Sequence, residues 1–168
     1  MEAMEAILTR RSIRKYTTRP VAEQLIKHLL EAAMCAPSAR NQQSWQFLVI
    51  RERAKLDRLH EVHPNVPSAG APLAILVCGD LSVEASPGFW VQDCSAAVEN
   101  LLLAAHASGL GAVWSGVYPR EERVAAVRAL FELPEHIMPL AVLAIGYPAE
   151  EKGRQERYDS KKVHFDRW

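Results

Sequence analysis

The stretch Gln92–Gly109, QDCSAAVENLLLAAHASG, constrains the fold more than any other part of the chain. Apolar residues stand at Cys94, Ala96, Ala97, Val98, Leu101, Leu102, Leu103, Ala104, Ala105 and Ala107. On a helix these positions fall on almost every side, and a helix that is apolar nearly all round is a buried one. Asp93, Glu99, Asn100 and His106 interrupt the run, which is also too short to span a bilayer. Its alanines let other backbones come close. Gly109 marks the C-terminal stop, because glycine takes up the left-handed conformation that ends helices. A chain of 168 residues cannot easily surround such a helix, so a second copy is expected to complete its cover.

The flanking sequence supplies elements to pack against it. Met4, Ile7 and Leu8 predict a short amphipathic helix in Met1–Thr9, followed by an extended Arg10–Thr18. Leu25, Ile26, Leu29, Leu30, Ala33 and Met34 predict a helix that opens at Pro20–Val21 and stops before Pro37. Strands are expected at Trp45–Arg51, Leu73–Cys78, Ala112–Ser115 and Leu140–Ile145, each short and rich in β-branched or aromatic residues. Further helices are expected at Ala54–His60 and after Pro119, with His63–Pro72 as loop. This is an α+β pattern, a small sheet between helices. Residues 1–148 read as the core. Residues 149–168 are charged, lack core periodicity and end in aromatic anchors, which suggests an arm docked on another surface.

The formal net charge is zero, so no global basic excess argues for nucleic acid. The N-terminus lacks the basic start and apolar run of a signal peptide, and the expected compartment is the cytoplasm. Cys35, Cys78 and Cys94 form no CxxC pair and are expected to be reduced thiols in the core.

Arg10-Arg11-Ser12-Ile13-Arg14 is the sharpest local signal. In an extended segment, residues two apart share a face, so Arg10, Ser12 and Arg14 point together while Ile13 faces inward. Two guanidinium groups and a hydroxyl suit a phosphate; the same string also suits a solvated basic patch. Lys161-Lys162 could close on the same anion or simply be a solvated tail. The Pro37–Trp45 loop carries Asn41, Gln42 and Gln43 and no carboxylate, which suits the edge of a heterocycle as well as an ordinary turn. Gly116, after Trp114-Ser115, would let a ligand approach the backbone closely.

Other chemistries find no support. Gly109-Leu110-Gly111 begins a dinucleotide fingerprint, but Trp114 stands where its third glycine belongs. There is no P-loop and no serine elbow. His60 and His63 lack further ligands at metal spacing and read as lining the solvated side of a helix end. His106 reads as a hydrogen-bonded core histidine, and His28 and His136 have no chemistry-bearing neighbours.

Taken together, several stretches resemble the FMN-dependent nitroreductases in their compact form. They are Arg10–Arg14, Ala36–Gln43 before Trp45, Glu99–Ala105 leading to Gly109-Leu110-Gly111, Trp114–Gly116, Ile145–Pro148 and Lys162–His164. The resemblance implies an α+β sandwich with a mainly antiparallel sheet and an interlocked homodimer with FMN at its interface, the C-terminal arm reaching across the partner. It implies that Arg10 and Ser12, with Arg11 in the same motif, hold the FMN phosphate, joined by Lys162. Arg14 would lie nearer the ribityl chain or the pyrimidine edge. Pro37, Ser38, Ala39, Asn41 and Gln43 would reach the ring of the partner's flavin, and Ser115 and Gly116 would approach it with backbone.

Ser44 stands where the family usually has proline, and Lys162 where arginine is common. The long inserted helices of larger members are absent, which implies an open pocket. The implied reaction passes a hydride from NADH or NADPH through flavin N5 to a nitroaromatic, quinone or similar small electron-poor acceptor, with no acid–base side chain. Reductive dehalogenation on the same fold, FMN storage without turnover, and a cofactor-free docking module are the competing readings.

Overall fold

A computed structural model describes all of residues 1–168. Five helices and four strands follow in the order α1 (Ala3–Thr9), α2 (Glu23–Met34), β1 (Trp45–Ile50), α3 (Arg53–Val62), β2 (Leu73–Asp80), α4 (Trp90–Ala107), β3 (Gly111–Gly116), α5 (Glu121–Phe131) and β4 (Ile137–Gly146). Every element expected from the sequence is present.

The strands form one sheet in the order β1-β2-β4-β3, with each neighbouring pair antiparallel. Strand β2 is buried on both faces, so it is a continuous apolar run with no alternation. Its period of two still sorts the core. Leu73, Ile75 and Val77 join a cluster with Ile26 and Leu29 of α2 and Cys94, Ala97, Val98 and Leu101 of α4. Ala74, Leu76 and Cys78 join a second cluster with Leu56 and Leu59 of α3 and Val127 of α5. The result is three layers, with α2 and α4 on one face of the sheet and α3 and α5 on the other.

Helix α4 ends as its glycine requires. Gly109 has φ +75°, Leu110 N–H donates to Ala105 C=O at 2.8 Å and Gly109 N–H to His106 C=O at 3.0 Å. These two bonds are the pair that closes a Schellman cap. The cap turns the chain directly into β3.

The extended segment after α1 attaches to the free edge of β3. Ile13 N–H donates to Ala112 C=O, and Ser12 and Ala112 form a parallel bridge. Thr17 N–H then reaches Tyr147 C=O. Residues 149–153 lie back over this segment: Ala149 N–H donates to Lys15 C=O, Lys152 Nζ to Ser12 C=O and Arg11 Nε to Gly153 C=O. Beyond Gly153, every hydrogen bond and ion pair of the tail stays within the tail itself.

Two expectations are corrected. Cys35 is exposed at the C-terminal cap of α2; only Cys78 and Cys94 are core thiols, and burial pushes both up to about 12. His63 does not line a solvated surface. It is 1% exposed, packed between α3 and the end of β3. No helix is long and apolar enough to cross a membrane.

Candidate active site

The Arg10–Arg14 segment alternates as its extended backbone dictates. Thr9, Arg11 and Ile13 line one cavity of about 470 Å³ together with His106 and Lys152. Arg10 and Ser12 do not line it. The Arg11 guanidinium donates to the carbonyls of Gly153, Arg10 and Leu8, so it ties the root of the tail to the end of α1. Arg10 has one partner, Glu99 of α4, at 3.3 Å. The Arg14 side chain is exposed and its backbone N–H donates to the Glu150 carboxylate. That bond is the first cause holding Glu150 below the ordinary carboxylate range, with Lys152 adding to it. The Tyr16 hydroxyl lies within reach of the Ile13 and Ala144 carbonyls, and burial raises its pKa.

Gly111 lets this segment lie close against β3: a Cβ there would stand 2.6 Å from Ile13 Cγ2. Gly116, at the other end of the same strand, is open, with its nearest obstacle, Tyr118 O, at 4.0 Å from where a Cβ would be. Ala112 and Gly116 are separated by roughly 13 Å of strand at about 3.3 Å per residue. The Gly116 carbonyl is held from below by two donors, His63 Nε2 at 3.0 Å and Arg123 Nη1 at 3.0 Å. Ser115 is buried and its hydroxyl donates to Asn65 C=O.

The polar loop before β1 lies at the other end of α4. Its Ala39–Asn41 stretch forms a single 3-10 turn, and Arg40, Asn41 and Gln43 all have φ near +50°. Asp93 in the first turn of α4 accepts from Ala39 N–H at 2.9 Å and from Gln42 Nε2 at 2.7 Å. Pro37, Asn41 and Gln43 are exposed, and Ser38 accepts from Gln43 N–H. Ser44, where proline was the expectation, is buried with its hydroxyl unpartnered.

Within one protomer Ser12 thus pairs with β3 at Ala112, and Ser115 and Gly116 stand at the far end of the same strand, while Arg10 reaches Glu99 of α4. The structure makes no contact between these and the Pro37–Gln43 loop, and Lys162 sits on an exposed turn of the tail. Asp93, His63 and Arg123 were missed from the sequence as parts of this site.

The sequence model of the Nitroreductase family matches residues 7–73 and 68–147. The chain belongs to the nitroreductase family. A protein of Methanothermobacter thermautotrophicus, provisionally named NADH dehydrogenase/NAD(P)H nitroreductase, is 53% identical over all of this chain and 88% of its own. A crystal structure of a protein so named from Parabacteroides distasonis superposes with a TM-score of 0.95 at 42% identity, covering 99% of this chain and 98% of that one. A provisionally named nitroreductase from Desulfovibrio desulfuricans, solved in complex with FMN, superposes with a TM-score of 0.87 at 33% identity, covering 100% and 98%. The nitroreductase fold expected from the motifs is therefore present, and the chain is an oxidoreductase of that family.

Proposed function

We propose that this chain is an FMN-dependent NAD(P)H oxidoreductase that works as a homodimer and reduces nitroaromatics, quinones or similar electron-poor acceptors. The observation that carries the reading is the pairing, along β3, of an anion-suited segment with an open glycine roughly 13 Å away. That spacing suits a flat ring joined by a short chain to a phosphate. The residues present fit the group: Arg10 has only one ion-pair contact, at 3.3 Å, and Ser12 follows two residues on in the segment that bridges β3. Gly116 leaves space where any other residue would place a side chain.

Arg10 would exchange Glu99 for the FMN phosphate, with Ser12 beside it and Lys162 arriving on the arm of a second copy. Arg14 would place a cation near the ribityl chain or the pyrimidine edge, where it balances charge that develops on reduction. Ser115 and Gly116 would present backbone to the ring, and Pro37, Ser38, Ala39, Asn41 and Gln43 would cover it from the partner. Bound FMN supplies the redox chemistry, taking a hydride from NADH or NADPH at N5 and passing it to the acceptor. No side chain need act as acid or base in this scheme.

The test is the visible absorption spectrum of purified protein, followed by anaerobic NAD(P)H oxidation with a nitroaromatic. A yellow protein with acceptor-stimulated turnover is expected. A colourless protein that takes up no added FMN would overturn the reading, and FMN binding without turnover would favour a storage role.

A further inference from the structure

We infer that Asp93 is a positioning residue: its buried carboxylate fixes the Ser38–Gln43 loop in the strained shape that offers Asn41 and Gln43 to the cofactor. The inference rests on the FMN reading above. Asp93 is 4% exposed and pairs with no cation. Burying a carboxylate is costly unless its oxygens are satisfied. Here each oxygen has a partner in the loop: Oδ1 accepts from Ala39 N–H and Oδ2 from Gln42 Nε2. Its place in the first turn of α4 adds the favourable end of the helix dipole. Gln42 carries the clamp one step further, since its Oε1 accepts from Ser86 N–H in the segment before α4.

Between and beside these two anchors stand Arg40, Asn41 and Gln43 with φ of 50°, 54° and 48°. Side chains disfavour that region, and it persists only where the surroundings over-determine it. The clamp is what does so. What it presents is not core: Gln43 Nε2 donates to Asn41 Oδ1 on an exposed polar pair with further hydrogen-bonding capacity. A buried charge that holds an exposed, strained amide pair has a use where that pair must meet a ligand at fixed geometry.

Three variants test this by FMN titration of the apo-protein and by turnover at saturating FMN. Asp93→Ala is expected to weaken FMN binding by roughly ten- to a hundred-fold, the loss for a charged hydrogen bond. At saturating FMN it should also shift the long-wavelength flavin band and lower kcat. Asp93→Asn sets an amide N–H against the Gln42 amide N–H and should show the same defects. Adding Gln42→Glu restores complementary partners and keeps an acceptor for Ser86, so the double variant should recover affinity, spectrum and kcat. If Asp93→Ala fails to fold, the Asp93→Asn and double variants decide. Parental spectrum and kcat in Asp93→Asn, or no recovery in the double variant, would overturn the inference. A parent protein that takes up no FMN would instead sink the underlying reading and this with it.

Discussion

Strand β2 and the last fifteen residues of the tail, 154–168, are opposites. Every apolar side chain of β2 is buried by this chain alone, shared between α4 on one face and α3 on the other. In the tail, Tyr158 and Phe165 are 82% exposed and Trp168 is 100% exposed, with its ring stacked only on His164. Large aromatic surface is the strongest contributor to interfaces and the costliest to leave in water. The body also offers a place for such surface. Met1, Ala3, Ala6 and Ile7 of the N-terminal helix region and Leu103 and Ala107 of α4 line an apolar hollow of about 380 Å³. The β2 core closes within one copy, whereas the tail aromatics and this apolar hollow both stay uncovered in it. We propose that two copies resolve both, which would also bring the partner's polar loop to β3.

Substitutions should separate the two regions cleanly. Leu101→Ala, at a fully buried position of α4, should cost about 2–5 kcal/mol in urea denaturation through lost burial and a residual cavity. Phe165→Ala with Trp168→Ala should leave the far-ultraviolet circular dichroism of the body unchanged. It should weaken self-association by about 2 kcal/mol or more, as loss of aromatic anchors does, and lower FMN affinity with it. Sedimentation equilibrium reads this directly. Parental association in the double variant would show that the tail has no docking role.

The same contrast explains what the sequence disclosed. Helix α4 was legible from its apolar run, and Gly109 marked its end. One copy, however, buries only the stripe Trp90, Asp93, Cys94, Ala97, Val98, Leu101, Leu102 and Ala105 and leaves Leu103 half-buried and Ala107 exposed. β2 was legible from its apolar run too. The start of β4 was not: the strand was expected from Leu140, yet it begins at Ile137 and contains Pro139. The register between β2 and β4 slips at Val77/Cys78, opposite Pro139, and a bulge is where a strand tolerates proline. The Arg10–Arg14 and Asn41 stretches announced themselves by local chemistry. Asp93 and His63 did not, because their partners lie about fifty residues away in sequence, at Ala39, Gln42 and Gly116. Cys35 was misplaced because apolar neighbours in sequence say little about the far side of a helix cap.

Two glycines sharpen the comparison at smaller scale. Gly111→Ala would drive a Cβ to 2.6 Å from Ile13 and lift the Arg10–Arg14 segment off β3. Overpacking of this kind costs about 1–3 kcal/mol, and FMN retention should fall with it. Gly153→Ala, in the tail root, meets no atom within 4 Å and should change thermal stability by less than about 0.5 kcal/mol. Equal effects from the two would mean that the segment does not depend on close packing against β3.

The smallest expected effect concerns pH. Burial lowers the His63 pKa from its ordinary 6.5, opposed by the hydrogen bond to Gly116 and reinforced by the Arg123 charge. The unfolded chain then binds a proton at a pH where the folded one does not. The contribution of neutral His63 is therefore complete above pH 6.5 and declines as pH falls from there toward the lowered folded value. His106 shifts in the same direction, first through burial and then through Arg10 and Arg11, so the parent should lose stability across this window for two reasons. His63→Leu removes one of the two donors to the Gly116 carbonyl and should cost about 1 kcal/mol at pH 8. His63→Gln can still donate but cannot titrate, so its thermal melts should resemble the parent's at pH 8 and decline less steeply toward pH 5. A glutamine variant with the full parental decline would place the titration elsewhere and leave His63 as a packing residue, held in the core for its shape alone.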